Sequence, residues 1–111
     1  MTLTGTGKLL RIFVGENDRH EGEPLHEWIV RRAKEEGMAG ATVLRGLLGF
    51  GAHSRIHTAK ILRLSTDLPI VIEIVDTAEN IEAFLPGIEP AIREGLATVE
   101  SVEIRFYRSE R

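Results

Sequence analysis

Ile70-Val71-Ile72-Glu73-Ile74-Val75 governs the reading of this chain, because five of its six residues are β-branched and favour an extended strand. A strand apolar at successive positions is buried on both faces. Glu73 inside it needs a partner, and an arginine at a subunit contact is the expected one. Just upstream, Asp67-Leu68-Pro69 breaks away from Ile61-Leu62-Arg63-Leu64, so residues 61–75 read as one interrupted third strand. Just downstream, Asp76 and Glu79 have capping-box spacing and open a second helix, striped by Ile81, Phe84, Leu85, Ile88 and Ile92. Pro86 and Pro90 must bend or break that helix, since each lacks a backbone donor.

The same logic extends to both ends. Leu9-Leu10-Arg11-Ile12-Phe13-Val14, stopped by Gly15, predicts a first strand. After a charged loop, Pro24 suits the first turn of a helix that carries Leu25, Trp28, Ile29 and Ala33 and ends at Gly37. Residues 41–48 read as a second strand, interrupted by Gly46 and closed by Gly49-Phe50-Gly51. Residues 52–58 look like an exposed polar loop, and Val102-Glu103-Ile104-Arg105-Phe106-Tyr107 supplies a fourth strand. The order β-α-β-β-α-β predicts an α+β, ferredoxin-like fold, with residues 1–111 as a single domain.

Composition narrows the function. A net charge of −3 argues against a nucleic-acid partner, because counterion release needs clustered lysine and arginine. Aromatic residues make up only 5%, too few for a base-stacking platform. Without cysteine, thiolate nucleophiles and disulfides are excluded, which fits a reducing compartment. The opening Met1-Thr2-Leu3-Thr4-Gly5 lacks the basic and apolar regions of a signal peptide, and no apolar run is long enough for a membrane span, so a cytoplasmic protein is expected.

The strands also predict self-association. Two helices cover one face of a four-stranded sheet, yet Leu9 and Phe13 oppose Leu10, Ile12 and Val14, while Leu44 and Leu48 oppose Val43 and Leu47. Both faces call for burial, and a closed ring of subunits provides it.

Several groups are candidates for ligand chemistry. Gly46-Leu47-Leu48-Gly49-Phe50-Gly51 lacks both phosphate-loop fingerprints, so it reads as a turn whose backbone can also approach a nucleotide. His53 and His57 would share a helical face able to hold a metal, but their segment reads as a loop, and no metal is expected. Thr58 and Lys60 share a strand face, with Arg63 opposite unless the strand bulges. With Arg45 and Arg55 they line either a cleft for a phosphate-like anion or a solvated edge. Glu16, Asp18, Glu21 and Glu23 read as a solvated acidic loop before they read as a Mg²⁺ site.

Gly15-Glu16-Asn17-Asp18-Arg19, the segment from Ala39-Gly40-Ala41-Thr42-Val43 through Arg45-Gly46 to Gly49-Phe50-Gly51, and Ile56-His57-Thr58-Ala59-Lys60-Ile61-Leu62-Arg63-Leu64-Ser65 together resemble the PII-like family numbered 190 among the domains of unknown function. That family is similar to the nitrogen-regulatory PII proteins. The resemblance implies a homotrimer that senses a small ligand, an adenine nucleotide such as AMP or ADP, in clefts between subunits. It also implies that residues 52–68 form a loop contacting a protein partner. Thr42, Arg45, Gly49, Phe50, Gly51, His57, Thr58, Lys60 and Arg63 are the candidate ligand-binding residues. The chain departs from the PII pattern in three places. Arg93-Glu94-Gly95-Leu96-Ala97-Thr98 replaces a glycine-rich, lysine-bearing loop, Ile70 follows Leu68-Pro69 where a basic residue is expected, and the interval from Thr42 to Phe50 is one residue longer. A less charged adenylate is the expected ligand. The alternative is a small enzyme acting on a phosphorylated or carboxylated metabolite, with Lys60 and Arg63 as clamps and His57 as acid or base. No nucleophile paired with an activating base stands in the sequence, so a non-catalytic role is expected.

Overall fold

The computed structural model describes residues 3–49, 57–58 and 67–110. Its main elements are β1 (Gly5–Gly15), α1 (Leu25–Glu35), β2 (Thr42–Arg45), β3 (Pro69–Asp76), α2 (Ala78–Ile88) and β4 (Leu96–Ile104). The sheet runs β2-β3-β1-β4 with every neighbouring pair antiparallel, which is the expected ferredoxin-like arrangement. Two short strand pairs lie outside it, Arg19–His20 with Glu23–Pro24 and Leu48–Gly49 with His57–Thr58.

Period-two alternation places Leu10, Ile12 and Val14 of β1 beside Ile70, Ile72 and Ile74 of β3 on one face. There they meet Leu25, Ile29 and Ala33 from α1 and Ile81, Phe84 and Ile88 from α2. Helix α1 ends in a Schellman arrangement, in which Met38 N–H donates to Ala33 O at 3.0 Å while Gly37 sits at φ 76°. A side chain at that φ is strained, so Gly37→Ala is expected to lower stability by about 1 kcal/mol, read as a shift in urea midpoint at constant m-value.

The second helix starts later than its sequence signal. Thr77 is the N-cap, its Oγ1 accepting from Asn80 N–H at 3.1 Å, and Asp76 instead closes β3 as a fully buried carboxylate. Pro86 stays inside α2, and the chain then tightens into a 3₁₀ turn, Glu89–Ala91, around Pro90.

The second strand is shorter than residues 41–48. Gly46 N–H donates to Pro69 O at 2.7 Å, and a Cβ at Gly46 would lie 2.7 Å from Pro69 Cγ. Glycine therefore lets the chain cross over Pro69 and leave the sheet, and Leu47 and Leu48 are left 75% and 64% exposed. His57–Thr58 pairs as a short strand with Leu48–Gly49, where the sequence reads as loop. The third strand begins at Pro69, while its anticipated first piece at 61–64 lies outside the described residues. The fourth strand begins six residues before its expected start, at Leu96 instead of Val102, and Phe106 and Tyr107 lie beyond its end. As an edge strand exposed on both faces, β4 carries no clean alternation to mark it.

Candidate functional site

Opposed residues of an antiparallel sheet share a face, so the register gives the side away from the helices row by row. Leu44, Val71, Phe13 and Leu96 form one apolar row across all four strands. Thr42, Glu73, Arg11 and Thr98 form the next, followed by Val75, Leu9 and Glu100. Leu44 and Leu96 are 47% and 57% exposed. Glu73 finds its arginine within the subunit. Arg11 Nε donates to Glu73 Oε2 at 2.9 Å and its Nη1 to Glu100 Oε1 at 2.6 Å. The bond to Glu73, aided by Glu100, holds Arg11 above the usual guanidinium pKa against the opposing effect of desolvation. Neither Arg11 nor Glu100 was identified from sequence, because their pairing depends on a register between residues 89 apart.

A second constellation occupies the sheet end where β1 and β2 finish and β3 begins. Glu16 N–H donates to Leu68 O at 2.8 Å, and Asn17 N–H donates to Asp67 Oδ1 at 2.9 Å. Asp18 folds the same turn by accepting from Gly15 N–H at 2.9 Å. A Cβ at Gly15 would lie 2.8 Å from Asp67 Oδ1 and 3.2 Å from Asp18 Oδ1, so glycine leaves room for both carboxylates. Arg45 reaches across from β2, its Nε 3.3 Å from Glu16 Oε2. The far wall of this turn borders a polar cavity of about 340 Å³, lined by Asn17, Asp18, Arg19, Leu25, Ala91, Arg93 and Glu94.

The acidic run of the sequence is thus divided among separate jobs. Glu16 faces Arg45, Asp18 caps its own turn, and Glu23 pairs with Arg31. Among the described residues, no group of three or more histidines and carboxylates is placed to hold a metal. No helix among them is long and apolar enough to cross a membrane.

Among the candidate ligand residues, Thr42 stands on the open sheet face opposite Glu73. Arg45 ends the same strand opposite Ile70, so the two are on different faces. Gly49 pairs with His57 and packs over Pro69, and Thr58 pairs with Leu48. Backbone pairing therefore brings Gly49, His57 and Thr58 close to the end of β2 that carries Arg45. Phe50, Gly51, Lys60 and Arg63 lie outside the described residues, as do His53 and Arg55. Sequence reading missed Glu16 as the partner of Arg45 and Asp67 as the anchor of Asn17. The glycine between β1 and the acidic run is the signal that marks this turn.

Comparison with known proteins gives a consistent result. The family model of the uncharacterised proteins designated DUF190 matches residues 7–104. A UPF0166 protein of Aquifex aeolicus (strain VF5) is 43% identical over 99 residues, covering 89% of this chain and 93% of its own. A UPF0166 protein of Methanocaldococcus jannaschii is 38% identical over 104 residues, covering 93% and 94%. Among solved structures, the fold is similar to CPII, a nitrogen-regulatory PII-like protein from Thiomonas intermedia K12 bound to ADP, AMP and bicarbonate. The TM-score is 0.69 at 20% identity, over 89% of this chain and 88% of that one.

Proposed function

The chain belongs to the DUF190 family of uncharacterised proteins, and from that membership, its PII-like fold and its uncovered sheet face we propose that it is a trimeric regulator that senses an adenine nucleotide between subunits. The observation that carries this reading is the apolar row Leu44, Val71, Phe13 and Leu96 on the face away from both helices, which in a single copy is half-buried at Val71 and Phe13 and exposed at both ends. At about 25 cal/mol per Å², covering several hundred Å² of such surface contributes several kcal/mol to association. A three-subunit ring closes the face and creates clefts at the sheet ends.

In those clefts Thr42, Arg45, Gly49, His57 and Thr58, with Phe50, Gly51, Lys60 and Arg63, form the ligand-binding set. The CPII structure holding ADP and AMP supports an adenylate as the ligand class. The segment after α2 favours a less charged member of that class. Leu96, Ala97 and Thr98 there belong to β4, and a Cβ at Gly95 would lie 2.6 Å from Phe13 O, so Gly95 serves packing against β1. Residues 52–68 contact the protein partner, and the hydrogen bonds at Asp67 and Leu68 tie their end to the β1–α1 turn.

A thermal-shift series with AMP, ADP and ATP, run alongside sedimentation, tests this. Trimers at micromolar concentration are expected, together with stabilisation approaching about 2.7 kcal/mol when an adenylate stands a hundredfold above its Kd. A stable monomer, or a melting temperature indifferent to every adenylate, would sink the proposal.

A further inference from the structure

We infer that Glu16 is a built-in competitor at Arg45: a phosphate-bearing ligand gains the Arg45 guanidinium by displacing the Glu16 carboxylate, and the β1–α1 turn registers the exchange. The contact is poorly made for a permanent ion pair. The nearest guanidinium-to-carboxylate approach is 3.3 Å, and Arg45 has no second carboxylate partner among the described residues. Its fork is therefore available for two-point recognition of an oxyanion. The Glu16 carboxylate is equally under-used, since Oε1 is shut away from solvent with no hydrogen-bond partner among the described residues. A carboxylate oxygen in that condition favours release to water once a stronger anion takes its place. Glu16 thus occupies the position of a ligand anion and repels any anion that approaches.

Displacement is carried onward by the backbone. Glu16 N–H is bonded to Leu68 O and Asn17 N–H to the Asp67 carboxylate, so a shift of Glu16 loads the start of β3. Through Asp18 and Arg19 the same turn leads to His20, whose ring stands 4.4 Å from Trp28, the chain's one tryptophan. Trp28 emission is therefore an internal reporter of the turn.

The test titrates the full chain, as wild type, Glu16→Gln, Glu16→Ala, Arg45→Ala and the Glu16→Gln/Arg45→Ala double variant, with inorganic phosphate and with AMP. Calorimetry reads affinity and Trp28 emission reads the turn. Both Glu16 variants are expected to bind about fivefold tighter, the gain from removing a partly exposed charge competitor. Arg45→Ala is expected to lose at least about tenfold, and the double variant to behave like Arg45→Ala, since a competitor without its site has no effect. Wild-type emission should change on saturation, with a smaller change in Glu16→Ala. The inference builds on the adenylate reading only for AMP, so the two can fail separately. AMP binding that is unaltered by all the substitutions overturns the competitor and leaves the nucleotide reading intact. Tightening toward phosphate without AMP binding by any variant supports the competitor and removes the nucleotide. No binding of either probe, even by Glu16→Gln, overturns both.

Discussion

Asp76→Ala is expected to lower stability by about 3 kcal/mol and the melting temperature by roughly 10 °C, measured at fixed protein concentration. The Asp76 carboxylate is fully buried and makes three hydrogen bonds. Oδ1 accepts from Thr77 N–H at 2.7 Å and from Asn80 Nδ2 at 2.9 Å, which fixes the first turn of α2. Oδ2 accepts from Ala39 N–H at 2.8 Å, which ties the α1–β2 connection to the end of β3. Alanine removes the acceptor from all three of these part-buried donors at once, and each one left short of a partner adds to the cost. Asp76→Asn is a sharper probe because it conserves volume. If its oxygen serves Thr77 and Asn80, its amide must face the Ala39 N–H, donor against donor. An intermediate loss is therefore expected. An alanine variant that melts within about 2 °C of wild type would show that this carboxylate is not what joins the three segments.

Asp76 also shows where sequence reading reached its limit. Its spacing to Glu79 is a legitimate helix-start signal, and a helix does start within two residues of it. The side chain itself is spent on a contact with Ala39, 37 residues away, which no local pattern encodes. The order of elements is legible because the core strands bury one face each and are rich in apolar residues, β-branched throughout β3 and mixed with Leu and Phe in β1, so propensity and packing agree. The full limits of the edge strands are not legible. Thr42–Arg45 and Leu96–Ile104 are exposed, so local composition sets neither their start nor their end. What ends β2 is the passage of Gly46 over Pro69, and what positions β4 is nine residues of pairing with β1. The candidate site divides in the same way. Arg45 stood out as a cation near a turn, whereas Glu16 was read as one member of a solvated acidic run. Its role depends on a turn folded by Asp18 and anchored by Asp67 and Leu68, contacts that arise only once β1 and β3 lie side by side.

Phe13→Asp is expected to convert the proposed trimer to monomers of 12.4 kDa while leaving the far-ultraviolet circular dichroism unchanged. Phe13 lies within the apolar row, flanked by Val71 on β3 and Leu96 on β4, and contributes nothing to the core beneath the helices. In a single copy the aspartate is solvated on an open sheet and the fold survives. In a closed ring it must be desolvated beside the row of Glu73 and Arg11, whose guanidinium is already shared between Glu73 and, from the row beyond, Glu100. Removing a charge from water without a new partner costs several kcal/mol, comparable to what covering the apolar row contributes. Val43→Asp is the matched control. Val43 is also an exposed apolar residue in the sheet, but it lies opposite Ile72 on the helix-bearing face. It should leave association intact. If the ligand cleft lies between subunits as proposed, the adenylate-dependent thermal shift should vanish in Phe13→Asp and persist in Val43→Asp. If Phe13→Asp still sediments as a trimer, the open face is not the contact surface, and the clefts at the sheet ends must be sought elsewhere on the molecule.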